Sequence, residues 1–162
     1  MSQGNLTGSA GVYYVAARLN AEGFHGAPTF GNVPDVDLLV SAREGSGSAA
    51  LQVKTAMDAR RMRGGKLHHY EWAMNCSKAL RLEKADILFA LVDLKGFLEL
   101  PDIFFVPSKV IASYYRRGVK DWYGGDPAKW KWPRYHEEVE NLDRYRNNWN
   151  VLEEVLKLKE SK

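Results

Sequence analysis

Cysteine is almost missing from this sequence: Cys76 is the one thiol in 162 residues. That excludes an internal disulfide framework and suits a reducing compartment. Long apolar runs are missing as well. The longest, Ile87 to Val92, falls far short of the ~20 residues that a membrane-crossing helix needs. The opening MSQGNLTGSAG has neither the basic nor the apolar region of a secretory leader, so the expectation is a cytoplasmic protein with no membrane partner. No internal repeat or low-complexity tract occurs, which excludes solenoids and polar disordered arrays. Net charge is also small, at +3. A polyanionic partner is permitted by that balance without being required.

What is present is the material of one ordinary globular domain, 45% hydrophobic and 12% aromatic, enough for a single core. A core over about residues 8–117 is expected, with 118–162 as an extension. Val12, Val15, Ala16 and Leu19 recur at the spacing of one helical face, with Ser9 placed to cap it and Gly23 to close it. Phe24 to Phe30, broken by Gly26 and Pro28, reads as an edge strand or a strand with a bulge. His68 to Leu82 reads as a helix through Leu67, Tyr70 and Met74. Asp86 to Leu94 has the continuous apolarity of a strand buried on both faces. Phe104 to Val106 is a further strand stopped by Pro107, after which Ser108 caps a helix through Val110, Ile111, Tyr114 and Tyr115. Residues 119–136 form an aromatic loop containing Trp122, Trp130 and Trp132. Val139 to Leu156 gives one amphipathic helix, or two split near Asn147-Asn148 with Asn150 and Glu153 capping the second. This mixture of elements points to an α/β or α+β sandwich.

The chemistry concentrates in PDVDLLVSAREGSGSAALQVKT, Pro34 to Thr55. The stretch has the form of a hairpin: an acid opening a Leu-Leu-Val run, a Gly/Ser turn over residues 44–48, then a second apolar run carrying Gln52 and Lys54. Alternation along a strand sends Gln52 and Lys54 to one face and Leu51 and Val53 to the other. Asp37, Gln52 and Lys54 would then converge. A carboxylate and an amide at the rim of adjacent strands make an oxygen-rich site of the kind Mg2+ accepts. A neighbouring lysine can orient or help deprotonate a water and offset charge on phosphorus, so the implied reaction is metal-assisted phosphodiester hydrolysis. The bland reading of D-x14-Q-x-K is a solvated hairpin face.

The order of LNAEGF, PDVDLLV, a variable turn and LQVKT resembles the PD-(D/E)XK nuclease superfamily. More narrowly it resembles the branch with glutamine in place of the second acid, as in Mrr-type restriction enzymes and small stand-alone proteins related to Holliday junction resolvases. ADILFALVDL and FFVPSKV resemble the same proteins, and the likeness runs from about Gly8 to Tyr115. It implies a restriction-endonuclease-like three-layer sandwich, a mixed central β-sheet flanked by helices, here with an added C-terminal helical segment. It also implies an endonuclease dependent on Mg2+ or Mn2+ that acts on duplex or branched DNA, and is compatible with a homodimer. Asp37 is the implied metal-binding acid, Gln52 the second metal-site residue and Lys54 the catalytic lysine, with Asp35 a rival or auxiliary ligand. Two departures stand out. Val12 to Val15 supplies no acid from the first helix, with Glu22 a poor substitute, and Gln52 is neutral, which predicts weak metal binding.

Arg60, Arg61, Arg63 and Lys66, on a Gly64-Gly65 hinge directly after the site, are the candidate DNA-backbone contacts; the alternative is a solvated loop. His68 and His69 are candidates for assisting proton transfer or touching phosphate, or are plain polar surface. As neighbours in sequence they are expected to face different ways and not to share a metal. The tryptophans either stack on bases or fold over the core, the second being preferred, and Cys76 reads as a packed thiol. Besides the active nuclease, two readings remain: a catalytically weak or inactive nuclease-fold protein that binds nucleic acid or protein, and a small α/β interaction protein unrelated to nucleic acid.

Overall fold

The computed structural model describes residues 3–29, 35–44, 47–83, 87–131 and 134–160. Phe30, Pro34, Gly45, Ser46, Asp86 and Trp132 lie outside the described residues. Helix α1 (Gln3–Ala21) leads into a run of three strands, β1 (His25–Pro28), β2 (Leu38–Ser41) and β3 (Ser48–Ala56). A hairpin follows, β4 (Arg60–Arg63) and β5 (Lys66–Ala73), then α2 (Cys76–Glu83), β6 (Leu88–Asp93), β7 (Asp102–Pro107) and α3 (Ser108–Tyr123). The chain ends with β8 (Arg134–Glu138), the short α4 (Val139–Leu142) and α5 (Trp149–Glu160).

The main sheet has five strands in the order β1-β2-β3-β6-β7. It is mixed: β3 and β6 run parallel, and the other neighbours are antiparallel. Every residue of β6 is buried, as its unbroken apolar sequence requires of a central strand covered on both faces. One face, through Leu51, Val53, Leu88, Val92 and Phe105, packs under Val15 and Leu19 of α1 and Leu152 and Leu156 of α5. The other face, through Phe89, Leu91, Phe104 and Val106, packs against Ala79 and Leu82 of α2, Ile111 and Tyr115 of α3, and Tyr70, Trp72 and Tyr135. The result is an α/β architecture with helices on both sides of a mixed sheet. Among the described residues no helix is long and apolar enough to cross a membrane.

Tyr70, Trp72 and Tyr135 belong to a second sheet, β4-β5-β8, which differs from the sequence expectation. The segment read as a helix over His68 to Leu82 is strand β5 followed by helix α2. Tyr70 and Trp72 alternate with Glu71 at period two, and their rings pack on Phe104 at centroid distances of 5.0 and 5.6 Å, which fixes the strand. The aromatic loop likewise contains a strand, because Tyr135 pairs with Trp72 across β5 and β8. Only that pairing makes a strand of an otherwise polar stretch.

Several boundaries move for local reasons. Helix α1 begins at Gln3, not after Ser9, since glycine at positions 4 and 8 lowers helix propensity without removing a hydrogen bond. Gly23 ends it at φ +93° as anticipated, and the Phe24 amide donates to the Leu19 carbonyl at 3.0 Å. Ser108 is the first residue of α3 and not its cap; Pro107 holds the cap position. In the C-terminal part the break falls at Asn147, φ +48°. Its side chain accepts from the Ile103 amide at 3.0 Å and donates to Asp102 at 2.9 Å, stapling the break to β7. Asn148, two residues before the expected cap, accepts from the Asn150 amide at 3.2 Å and opens α5.

Candidate functional site

β2 and β3 pair with Leu38 opposite Leu51, and Asp37 extends that ladder by one step, its amide donating to the Leu51 carbonyl at 2.9 Å. The Asp37 side chain is thereby laid against β3. Its Oδ2 accepts from the Val53 amide at 2.8 Å and from the Gln52 side-chain amide. Gln52 is only 3% exposed, and its Oε1 is buried without a hydrogen-bond partner. Lys54 lies two residues on, in the same cleft of about 430 Å3, which Gly8, Ser9, Val12 and Tyr13 of α1, Thr29 and Lys78 also line. The acid, the amide and the amine of the sequence motif therefore share one cavity.

Burial pushes the Lys54 amine below its ordinary value, and the nearby charge of Lys78 adds to the depression, while Asp37 and Asp35 oppose it. The cleft favours a lysine closer to neutrality than a surface lysine. Lys78, on α2, is a cleft residue that the sequence reading missed. Its signal was thin: Lys78 and Arg81, three apart on a short helix, share a polar face, but nothing in the chain order says that this face meets β3.

Asp35 is engaged elsewhere. Its two carboxylate oxygens pair with Lys78 Nζ at 2.9 Å and the Arg81 guanidinium at 2.6 Å, and the hydrogen bond from Lys78 holds its carboxyl below the usual range. As found, it is a partner of α2 and not a second free ligand beside Asp37. Glu22 is remote: it pairs with Arg18 at 2.7 Å and lines a separate pocket with Phe24, Arg43, Glu153 and Leu156. The part of α1 that faces the cleft carries no acid, as the sequence indicated.

A hard divalent ion is the group this donor set would accept. Asp37 offers a carboxylate, and Gln52 offers a buried carbonyl oxygen that has no other partner. With the amide reversed, that oxygen and Asp37 Oδ2 would present to one cation, and water would complete an oxygen sphere. As arranged, no three or more His, Cys, Asp or Glu side chains among the described residues come together as a metal-holding group.

The basic residues stand on a hairpin and not on a loose hinge. Gly64 and Gly65, at φ +57° and +75°, make its two-residue turn, for which both positions need a left-handed backbone. Arg60 is tied to Asp58 at 3.0 Å and Glu99 at 3.1 Å, and Arg61 to Glu71 at 3.1 Å. Arg63 and Lys66 form the exposed pair at the tip. His68 and His69 lie on strand β5, not at a helix start, and their rings do meet: the Nδ1 atoms are 2.8 Å apart. The expectation that sequence neighbours face apart fails here because the β4–β5 ladder skips a residue. Trp130 folds over the core, 8% exposed, whereas Trp122 on α3 is 63% exposed. Cys76 is buried, and burial pushes its thiol up, as a packed thiol should behave. Compared with protein-family models, with curated proteins and with solved structures, the chain has no match.

Proposed function

We propose that this chain is a divalent-metal-dependent hydrolase of DNA phosphodiester bonds, with Asp37, Gln52 and Lys54 as its site. The observation that carries the reading is the direct contact of the Asp37 carboxylate with the Gln52 amide in the cleft that also holds Lys54 and Lys78. The succession α1-β1-β2-β3-α2-β6, with β3 and β6 parallel at the centre of the sheet, supports assignment to the restriction-endonuclease-like fold, with the β4–β5 hairpin as an insertion.

Asp37 and Gln52 would hold Mg2+ or Mn2+, which when bound supplies Lewis-acid stabilisation of phosphate charge and a more acidic water. The chain's own residues do the rest. The Val53 amide fixes Asp37 Oδ2, so the carboxylate enters the reaction pre-oriented. Lys54, its amine already depressed by burial, accepts or relays the water's proton more readily than a surface lysine. Lys78 offsets charge on the phosphoryl oxygens from the α2 side. Arg63 and Lys66 at the hairpin tip offer backbone contacts that weaken steeply with salt.

A second reading, a nuclease-fold protein that binds nucleic acid and cuts slowly or not at all, draws support from the engagement of Asp35 by Lys78 and Arg81. Incubation of supercoiled, linear and four-way-junction DNA with Mg2+ or Mn2+ separates the two. Cleavage by the wild type that is lost in Lys54→Ala and in Asp37→Asn is the expected result. Equal cutting by wild type and both variants sinks the first reading, and salt-sensitive binding without cutting selects the second.

A further inference from the structure

The second sheet carries a feature that the hydrolytic site does not use. Along β4 and β5 the register runs Arg60 with Tyr70 and Arg61 with His69, then jumps to Met62 with Leu67. His68 is the residue left over, the extra position of a β-bulge. A bulge re-aims side chains, and here it turns two consecutive histidines toward each other, Nδ1 to Nδ1 at 2.8 Å, with ring centroids 5.1 Å apart and planes at 79°. A third imidazole, His136 on the neighbouring strand β8, has its centroid 5.5 Å from that of His69, the planes tilted at 59°. The Tyr114 hydroxyl lies 2.9 Å from His136 Nδ1 and 3.1 Å from its Nε2, so the ring must turn to free one nitrogen.

Two imidazole nitrogens can face each other at that distance only if at least one presents a lone pair. Replacing the shared proton by a metal ion asks little of the geometry. Two nitrogens bound tetrahedrally at ~2.0–2.1 Å stand ~3.3 Å apart, so the rings need to part by about half an ångström and swing until both lone pairs meet at one point. His68 is exposed and His69 half-buried, which leaves them free to do so. Imidazole donors suit Zn2+, Cu2+ or Ni2+ and not the hard ions that carboxylates and carbonyls take. Opposing the ion are Arg61 and Arg134, but Glu71 stands with both, at 3.1 and 4.0 Å, and lowers that repulsion.

We propose that the bulge at His68 builds a nitrogen-donor metal site, with His68 and His69 as the primary ligands and His136, turning toward them, as the third, for a borderline divalent ion of the Zn2+ class. Tyr114 is then the outer partner that orients the His136 ring. The ion ties β5 to β8 across the second sheet. It is independent of the Asp37 cleft, whose donors are oxygens.

The test is calorimetric titration of the full chain with Zn2+ in excess Mg2+ at pH 7.5, together with the ring C–H resonances of all four histidines. One Zn2+ per chain is expected, and Zn2+ should shift the signals of His68, His69 and His136 while leaving His25 in place. His68→Ala and His69→Ala should each weaken binding by more than about tenfold, a loss that even an outer partner can cause. Asp37→Asn should bind Zn2+ like the wild type. The proposal is overturned if the His68→Ala/His69→Ala double variant binds as tightly as the wild type, if the wild type binds no Zn2+ or shows a shift at His25 alone, or if Asp37→Asn abolishes binding. Because the wild-type resonances report the site directly, a variant that folds poorly does not blunt the test. Failure here leaves the hydrolytic reading untouched.

Discussion

Gly11 lies where α1 crosses β3, and a Cβ built on it would run into the Thr55 hydroxyl and stand 2.7 and 2.8 Å from Thr55 Cγ2 and Cβ. Gly8, one turn earlier in the same helix, has nothing within 4 Å of the equivalent position. The same substitution should therefore act in opposite directions at the two sites. Glycine to alanine in a helix interior gains up to ~1 kcal/mol of propensity. At Gly8 that gain stands alone and should raise Tm by roughly 2–4 °C for a chain of this size. At Gly11 it is opposed by overpacking of ~1–3 kcal/mol, toward the upper end because Thr55 is β-branched and sits on a strand in the middle of the sheet. A net loss of ~1–2 kcal/mol follows, a fall of roughly 2–8 °C. Thermal unfolding followed by circular dichroism reads both variants. Thr55→Ala in the Gly11→Ala background removes the clash and should restore most of the loss, since the Thr55 hydroxyl is buried without a hydrogen-bond partner. If Gly11→Ala is as stable as Gly8→Ala, α1 does not seat on β3 as described. The cleft wall beside Lys54 would then be wrong too.

Other expectations rest on single environments. Lys54 has a depressed amine in the folded state, so folding disfavours its charge below the folded value and is indifferent to it above about 10.5. Lys54→Met should raise Tm at pH 7, with the gain shrinking as pH approaches 10.5, while abolishing any hydrolysis; a lower Tm at pH 7 would contradict the buried-amine picture. Asp35 has the opposite sign: its lowered carboxyl contributes stability above its ordinary value near 3.8 that fades as pH falls below it. Asp35→Asn should cost at most ~1 kcal/mol at pH 7, since ion pairs near the surface contribute little, and urea titrations should show the difference from wild type shrinking as pH falls below 3.8. Trp130→Ala should lose ~3–5 kcal/mol by the same assay, whereas Trp122→Ala, on an exposed side chain, should stay within ~0.5 kcal/mol.

The site was legible because its signal is local. Asp37 opens an apolar run, Gln52 and Lys54 share a strand face, and a ladder between two adjacent strands is enough to bring them together. β6 was legible for a similar reason, since a buried central strand announces itself by unbroken apolarity. The second sheet was not. Arg60 to Arg63 offers no buried apolar alternation, and Arg134 to Glu138 has only Tyr135; both are strands because β5 pairs with them. In β5 the spacing of Leu67, Tyr70 and Met74 mimics a helix face, and the aromatic packing on Phe104 decides otherwise. Lys78 and the pairing of Asp35 depend on where α2 docks, a tertiary fact. The meeting of His68 with His69 depends on a one-residue bulge, which strict alternation forbids by construction.

The proposed function puts a catalytic divalent ion on Asp37 and Gln52 beside Lys54, and the Mg2+ dependence of DNA cleavage in wild type and in Gln52→Glu reads that arrangement out. A second carboxylate at position 52 should bind the hard cation more tightly, so the Mg2+ concentration giving half-maximal rate should fall severalfold in Gln52→Glu, with Lys54→Ala inactive at every concentration. An unchanged Mg2+ requirement in Gln52→Glu, or cleavage that persists in Lys54→Ala, would contradict it.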